Sequence, residues 1–251
     1  MTSEELLDEL SAQVSSWFSD GPRRLSNLKQ EVFKNPDKYI EELSPPVYLL
    51  LKDNKYHKLI WDRAIVKGDL KLITKLDELG YKYDVNRSMK SASRRGYKNS
   101  LAVIDFFISK GANDWNMGME GAALGGNRCF VDFFIEKGAN DWNKGMELAA
   151  EEGHRDLVEF FIEKGANTWG HGMDGAIRGG HKELVEFFIK KGVDDWNWGM
   201  ELAAEGGYKD LVDLFIAKGA NYWNWGLEAA ARGGYKHLVE FFIEKGADGL
   251  D

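Results

Sequence analysis

The chain has 251 residues, 43% hydrophobic and 29% charged, with 4 Pro and a formal net charge of -8. That balance excludes a general nucleic-acid binder, and no stretch approaches the roughly 20 apolar residues of a membrane helix. The acidic start MTSEELLDEL is not a signal peptide, and one cysteine, Cys129, fits a reducing compartment, so an intracellular protein, cytoplasmic or nuclear, is expected.

The first part of the chain does not repeat. Glu4 to Phe18 has helical spacing of apolar residues, Gly21-Pro22 breaks it, and Leu25 to Phe33 forms a second candidate helix. Pro45-Pro46 opens another at Val47 to Leu51. Residues 1–56 are therefore expected to form an N-terminal helical cap, and residues 57–251 a repeat array.

From there the sequence is periodic. Trp115, Trp142, Trp169, Trp196 and Trp223 recur every 27 residues, as do Gly126, Gly153, Gly180, Gly207 and Gly234. Gly-Ala pairs at 111, 138, 165 and 219 keep the register, with Gly192-Val193 as the variant. Two degenerate units precede them, anchored at Trp61 and Met89, which gives about seven repeats.

Each unit reads as two short helices. In residues 143–165, Asn143 is the candidate N-cap, and Met146, Ala149 and Ala150 give one apolar face. Gly153 supplies the positive φ that ends the first helix. Asp156 to Lys164 forms the second, apolar on most sides through Leu157, Val158, Phe160, Phe161 and Ile162. One such pair cannot bury its own surface, so the expected fold is an all-α helix-turn-helix solenoid.

The string AAEEGHRDLVEFFIEKGAN at 149–167 resembles the second half of an ankyrin repeat, and the resemblance covers roughly residues 58–249. Ankyrin units run about 33 residues and open on Thr-Pro-Leu-His. Here the unit is shorter, and the missing residues fall where that family places its β-hairpin finger. Such reduced repeats also resemble host-range and multigene-family proteins of large DNA viruses. The resemblance implies a protein-binding scaffold, in the second case a viral or microbial factor acting on host proteins.

Columns of equivalent residues suggest uses. The Trp column either packs between units or forms an exposed stacking ladder. The acidic column Glu120, Glu147, Asp174, Glu201 and Glu228, read as lying in the first turn of its helix, either complements the helix dipole or offers an acidic stripe. The lysine column Lys110, Lys137, Lys164, Lys191, Lys218 and Lys245 is expected to be structural. Glu151, Arg178, Glu205 and Arg232 alternate in sign and predict a ladder of inter-repeat ion pairs on the exposed edge of the first helices.

The column Met117, Lys144, His171, Trp198 and Trp225 accepts lysine, so it is expected to face solvent, with Trp198 and Trp225 as an exposed pair near Tyr222. Lys144, His171, Trp198, Tyr222 and Trp225 are the candidate partner-binding residues. Arg87, Lys90, Arg94, Arg95 and Lys98 form a basic cluster, either a solvated helix face or a patch for an acidic partner or small anion. Residues 51–110 hold 14 cations against 7 carboxylates and residues 111–251 hold 14 against 25, so head-to-tail homo-oligomers are a further reading. No CxxC or HExxH spacing offers a metal site, the Gly-His turn tolerates Asn and Tyr, and no cofactor or enzyme activity is expected.

Overall fold

A computed structural model describes residues 54–248 except 79, 97 and 98. Residues 64–251 cluster as one compact unit and residues 1–63 as another. The helices expected before residue 52 lie outside the described residues.

The described residues form fourteen helices, the last twelve packed as six pairs. First come α1 (Asn54–Lys67) and α2 (Leu70–Glu78), then the pair α3 (Val85–Arg95) with α4 (Ser100–Ser109). Next come α5 (Trp115–Leu124) with α6 (Arg128–Lys137), and α7 (Trp142–Glu151) with α8 (Arg155–Glu163). The last three are α9 (Trp169–Arg178) with α10 (Lys182–Lys190), α11 (Trp196–Gly206) with α12 (Lys209–Lys218), and α13 (Trp223–Gly233) with α14 (Lys236–Glu244). No strand occurs among the described residues, and only four residues separate α6 from α7, where a finger would stand. Over the described residues the fold is the all-α helix-pair solenoid that the periodicity predicts.

Both turns of a unit use the same stop. Gly153 (φ 78°) and Gly165 (φ 113°) sit in the left-handed region. After each, one further amide reaches back: His154 N–H donates to the Ala149 carbonyl at 2.8 Å, and Ala166 N–H to Phe161 at 2.9 Å. These are Schellman closures, which satisfy carbonyls left open at a helix end.

The two helices divide the packing by size. From α4 onward each second helix contributes one fully buried phenylalanine, in the column Phe107, Phe134, Phe161, Phe188, Phe215 and Phe242, whereas α2 buries Ile73 and Leu76. From α5 onward each first helix makes room for its own unit's ring with a glycine. A methyl group at Gly145 would lie 2.6 Å from Phe161 Cζ, and one at Gly172 would lie 2.5 Å from Phe188 Cζ. Glycine inside a helix costs about 1 kcal/mol against alanine. Exposing a buried phenylalanine would cost more, about 1.5–3 kcal/mol.

The helix caps differ from the expectation. The N-cap is Asp141, whose carboxylate accepts the Lys144 N–H at 3.1 Å; Asp114 and Asp195 do the same for Met117 and Trp198. Asn143 lies inside the helix and acts over a longer distance. Its Oδ1 accepts the N–H groups of Asn167 and Thr168 at 2.8 and 3.1 Å, tying its unit to the next. Asn86, Asn116 and Asn197 repeat this double contact. Gly170 interrupts the column. In the same unit Thr168 replaces the capping Asp without making a cap bond, and Thr168 Oγ1 and Trp169 Nε1 are buried without hydrogen-bond partners.

First helices stack in couples. α3 with α5, α7 with α9, and α11 with α13 pack closely; α5 with α7 and α9 with α11 pack less closely. The cause is a column alternating small and large: Gly121, Leu148, Gly175, Leu202 and Ala229. A methyl group at Gly121 or Gly175 would collide with the main-chain carbonyl oxygen of Lys90 or Glu147. Over α7 to α13 the structural repeat is thus two sequence repeats.

Candidate functional site

Position within the unit decides which residues can meet a partner. The turn column before each second helix holds Asn127, His154, His181, Tyr208 and Tyr235. Asn127 Nδ2 donates to the Ser93 and Arg94 carbonyls at 2.8 and 3.0 Å, His154 Nε2 lies 3.2 Å from the Leu124 carbonyl, and His181 Nε2 lies 3.0 Å from that of Glu151. Tyr208 OH donates to the Arg178 carbonyl at 3.0 Å. Three side-chain types thus satisfy the last carbonyls of the preceding first helix. This column is occupied by structure.

The lysine column also acts within the fold. Lys110, Lys137, Lys164, Lys191 and Lys245 each lie 5.3–5.5 Å from the ring of a phenylalanine four residues earlier. Arg128 stacks 3.4 Å over Phe160 of the next unit, and Lys209 4.0 Å over Phe241. The Trp column at 115, 142, 169, 196 and 223 is half-buried at the first position of its helices.

The acidic column sits elsewhere than expected. Glu147 is the sixth residue of α7, beyond the first turn, so the helix dipole, which acts within that turn, does not account for it. It is half-buried and takes two cations: Lys144 at 3.0 Å and Arg178 of the neighbouring first helix at 3.1 Å. Arg232 makes the same reach to Glu201 at 3.1 Å, with Glu205 at 3.4 Å. Of the expected ladder one rung forms, Arg232 with Glu205, while Arg178 turns to Glu147. Arg178 binds Glu147 rather than Glu151, and the pairs made by Arg178 and Arg232 stay inside the closely packed couples. In α3 and α5 the signs are exchanged, with Lys90 bound to Glu120.

That exchange bears on the basic cluster. Lys90 is paired with Glu120, Arg94 with Glu152 at 2.6 Å, and Arg87 lies 3.7 Å from Asp84. Arg95 is exposed, and Lys98 lies outside the described residues. Three of the five cations already face a carboxylate of the same chain.

The variable column does face solvent over much of its length. Met117 and Lys144 are half-buried and His171 is exposed. Trp198 is 39% exposed, Tyr222 50% and Trp225 45%. Large aromatic rings this open are unusual where so many others are covered. The rings do not pair as expected. Trp225 meets Tyr222 edge-on, with centroids 4.8 Å apart. Trp198 instead donates its indole N–H to Asp174 at 3.0 Å, across the looser joint between α9 and α11.

Asp174 sits in the acidic column, and burial raises its carboxyl above the ordinary value. The Trp198 hydrogen bond and the nearby Arg178 and His171 oppose that shift, while Glu147 adds to it. For Trp225 the equivalent carboxylate is Glu201, already held by Arg232. Trp225 and Tyr222 border a cleft of about 410 Å³, with Asn221, Trp223 and Asp248 among its walls.

No family model matches the chain, and no curated protein matches it. Among solved structures it is similar to the human ASB11 ankyrin repeat domain, at 19% sequence identity and a TM-score of 0.43. That likeness covers 68% of this chain and 86% of the other.

Proposed function

We propose that the chain is a protein-binding scaffold that engages a partner through the exposed face of its first helices. The contact is centred on Trp198, Tyr222 and Trp225, with His171 and Lys144 extending it toward earlier units. One observation carries the reading: three large aromatic side chains stand 39–50% exposed in adjacent repeats, while the other Phe, Tyr and Trp rings among the described residues are covered more deeply. Trp and Tyr contribute much contact area with few torsions to immobilise, so they dominate many interfaces.

The basic cluster is the lesser candidate, because Lys90 and Arg94 would have to leave Glu120 and Glu152 to bind an anion. The reduced repeat, which resembles those of large DNA viruses, suggests a viral or microbial factor that acts on host proteins. A self-assembling scaffold would use the same aromatic face between copies.

The test is affinity capture with wild type and Trp198→Ala/Trp225→Ala, alongside light scattering of each. A partner retained by wild type and lost by the folded double variant supports the reading. Equal capture places the site elsewhere. Growth of the particle with concentration, abolished in the double variant, favours self-assembly.

A further inference from the structure

We propose that the cleft at Tyr222 and Trp225 receives a lysine or arginine side chain from an extended basic segment of the partner, with Trp198 as its second contact one repeat earlier. This rests on the protein-binding reading above and adds the partner's chemistry.

Three observations lead to it. The first is the state of the rings. In this fold, cations lie over Phe106, Phe133, Phe160, Phe187 and Phe241. Among the described residues no cation lies over Trp198, Tyr222 or Trp225, although these present the most open ring faces. An aromatic face attracts a cation through its quadrupole, and indole does so most strongly.

The second is charge. Residues 192–248 carry ten carboxylates against five cations. On α11 and α13 the one cation is Arg232, held by both Glu201 and Glu205. Glu228, one turn after Trp225, is exposed. An incoming cation meets an electronegative rim, whereas an apolar side chain would strip water from carboxylates and return nothing.

The third is shape. The cleft, about 410 Å³, is lined by Tyr222, Trp223, Trp225 and Asp248, whose carboxylate also accepts the Asn224 Nδ2–H at 3.1 Å. Aromatic walls with a carboxylate beside them suit a long aliphatic stem that ends in a charge. A second copy of this chain is the weaker occupant. The cations of its basic stretch include Lys90, Arg94 and Lys110, which already bind Glu120, Glu152 and Asp77.

The experiment is fluorescence anisotropy of labelled nona-arginine with the full chain, at a fixed salt concentration near physiological. Wild type is expected to bind saturably. Trp225→Ala and Tyr222→Ala, which leave net charge unchanged, should each weaken binding about threefold to tenfold, and Trp225→Phe should retain most of it. Glu228→Gln should weaken it more than Glu240→Gln on α14, an equal change of charge away from the cleft. Circular dichroism melts establish that each variant is folded. Alanine variants that bind like wild type would mean diffuse attraction to an acidic chain and overturn the proposal, as would absence of saturable binding. If a captured partner depends on Trp198 and Trp225 but nona-arginine does not displace it, the binding face stands and the basic segment falls. If capture ignores both tryptophans, both readings fall.

Discussion

Arg178 binds Glu147 at 3.1 Å, reaching back 31 residues from α9 to α7, and leaves Glu151 and Glu205 outside the contact. The Glu147 side chain is only 15% exposed, so this pair is less screened than a surface ion pair. An alanine double-mutant cycle on Arg178 and Glu147 should give a coupling of about 1 kcal/mol in urea unfolding. The same cycle on Arg178 and Glu205 should give none. A sizeable second coupling would restore the expected ladder and remove the pairing of first helices as its explanation.

Gly175 tests the couples from the packing side. Neighbouring units carry Leu148 and Leu202 in that column, so a consensus repair would write leucine there. Any β-carbon at Gly175 runs into the Glu147 carbonyl oxygen, which is main chain and cannot swing away. Gly175→Leu is expected to destabilise by more than about 2 kcal/mol, as overpacked sites do, despite the better helix preference of leucine. A neutral or raised melting temperature would show that the α7–α9 spacing is soft.

Residues that serve one unit were legible in the sequence, and residues that serve two were not. The period, the helix pairs and the glycine stops follow from features that recur within each unit, and Gly153 adopts the expected conformation. Solvent exposure of Trp198 and Trp225 was also legible, because Lys144 occupies the same column. Asn143 misled as a cap because capping is judged from a few adjacent residues, while its contacts lie 24 and 25 residues away. The alternation of Gly121, Leu148, Gly175 and Leu202 was visible as letters. Its meaning needs the backbone-to-backbone approach that only the fold supplies. Trp198 as a donor to Asp174 depends likewise on the spacing across one particular joint.

That joint, between α9 and α11, is where Gly170 interrupts the asparagine column. A β-carbon at Gly170 meets nothing within 4 Å, so a side chain fits there. Gly170→Asn should restore two hydrogen bonds, to the Asp194 and Asp195 amides, and stabilise by about 1–2 kcal/mol. Gly170→Ala should gain less, although alanine is the better helix former. Hydrogen exchange at those two amides should slow in the Asn variant alone. The reverse order of stabilities would reduce the asparagine column to helix preference.

Asp174 couples the same joint to pH. Burial raises its carboxyl above the ordinary value, and it faces Trp198, Arg178, His171 and Glu147. A raised pKa means that the folded state holds the proton more tightly than the unfolded chain, so the ionised group works against folding. Its unfavourable effect is complete above the folded pKa and vanishes below the unfolded value of 3.8. Asp174→Asn keeps an oxygen for the Trp198 indole and removes the charge. The variant should melt above wild type near neutral pH. The difference should shrink as pH falls through the raised pKa and close below that of the unfolded chain. Partial exposure of the carboxylate keeps the gain small. An advantage that grows toward acid pH would mean that Arg178 and His171 outweigh burial, and that the carboxylate supports the joint as an ion.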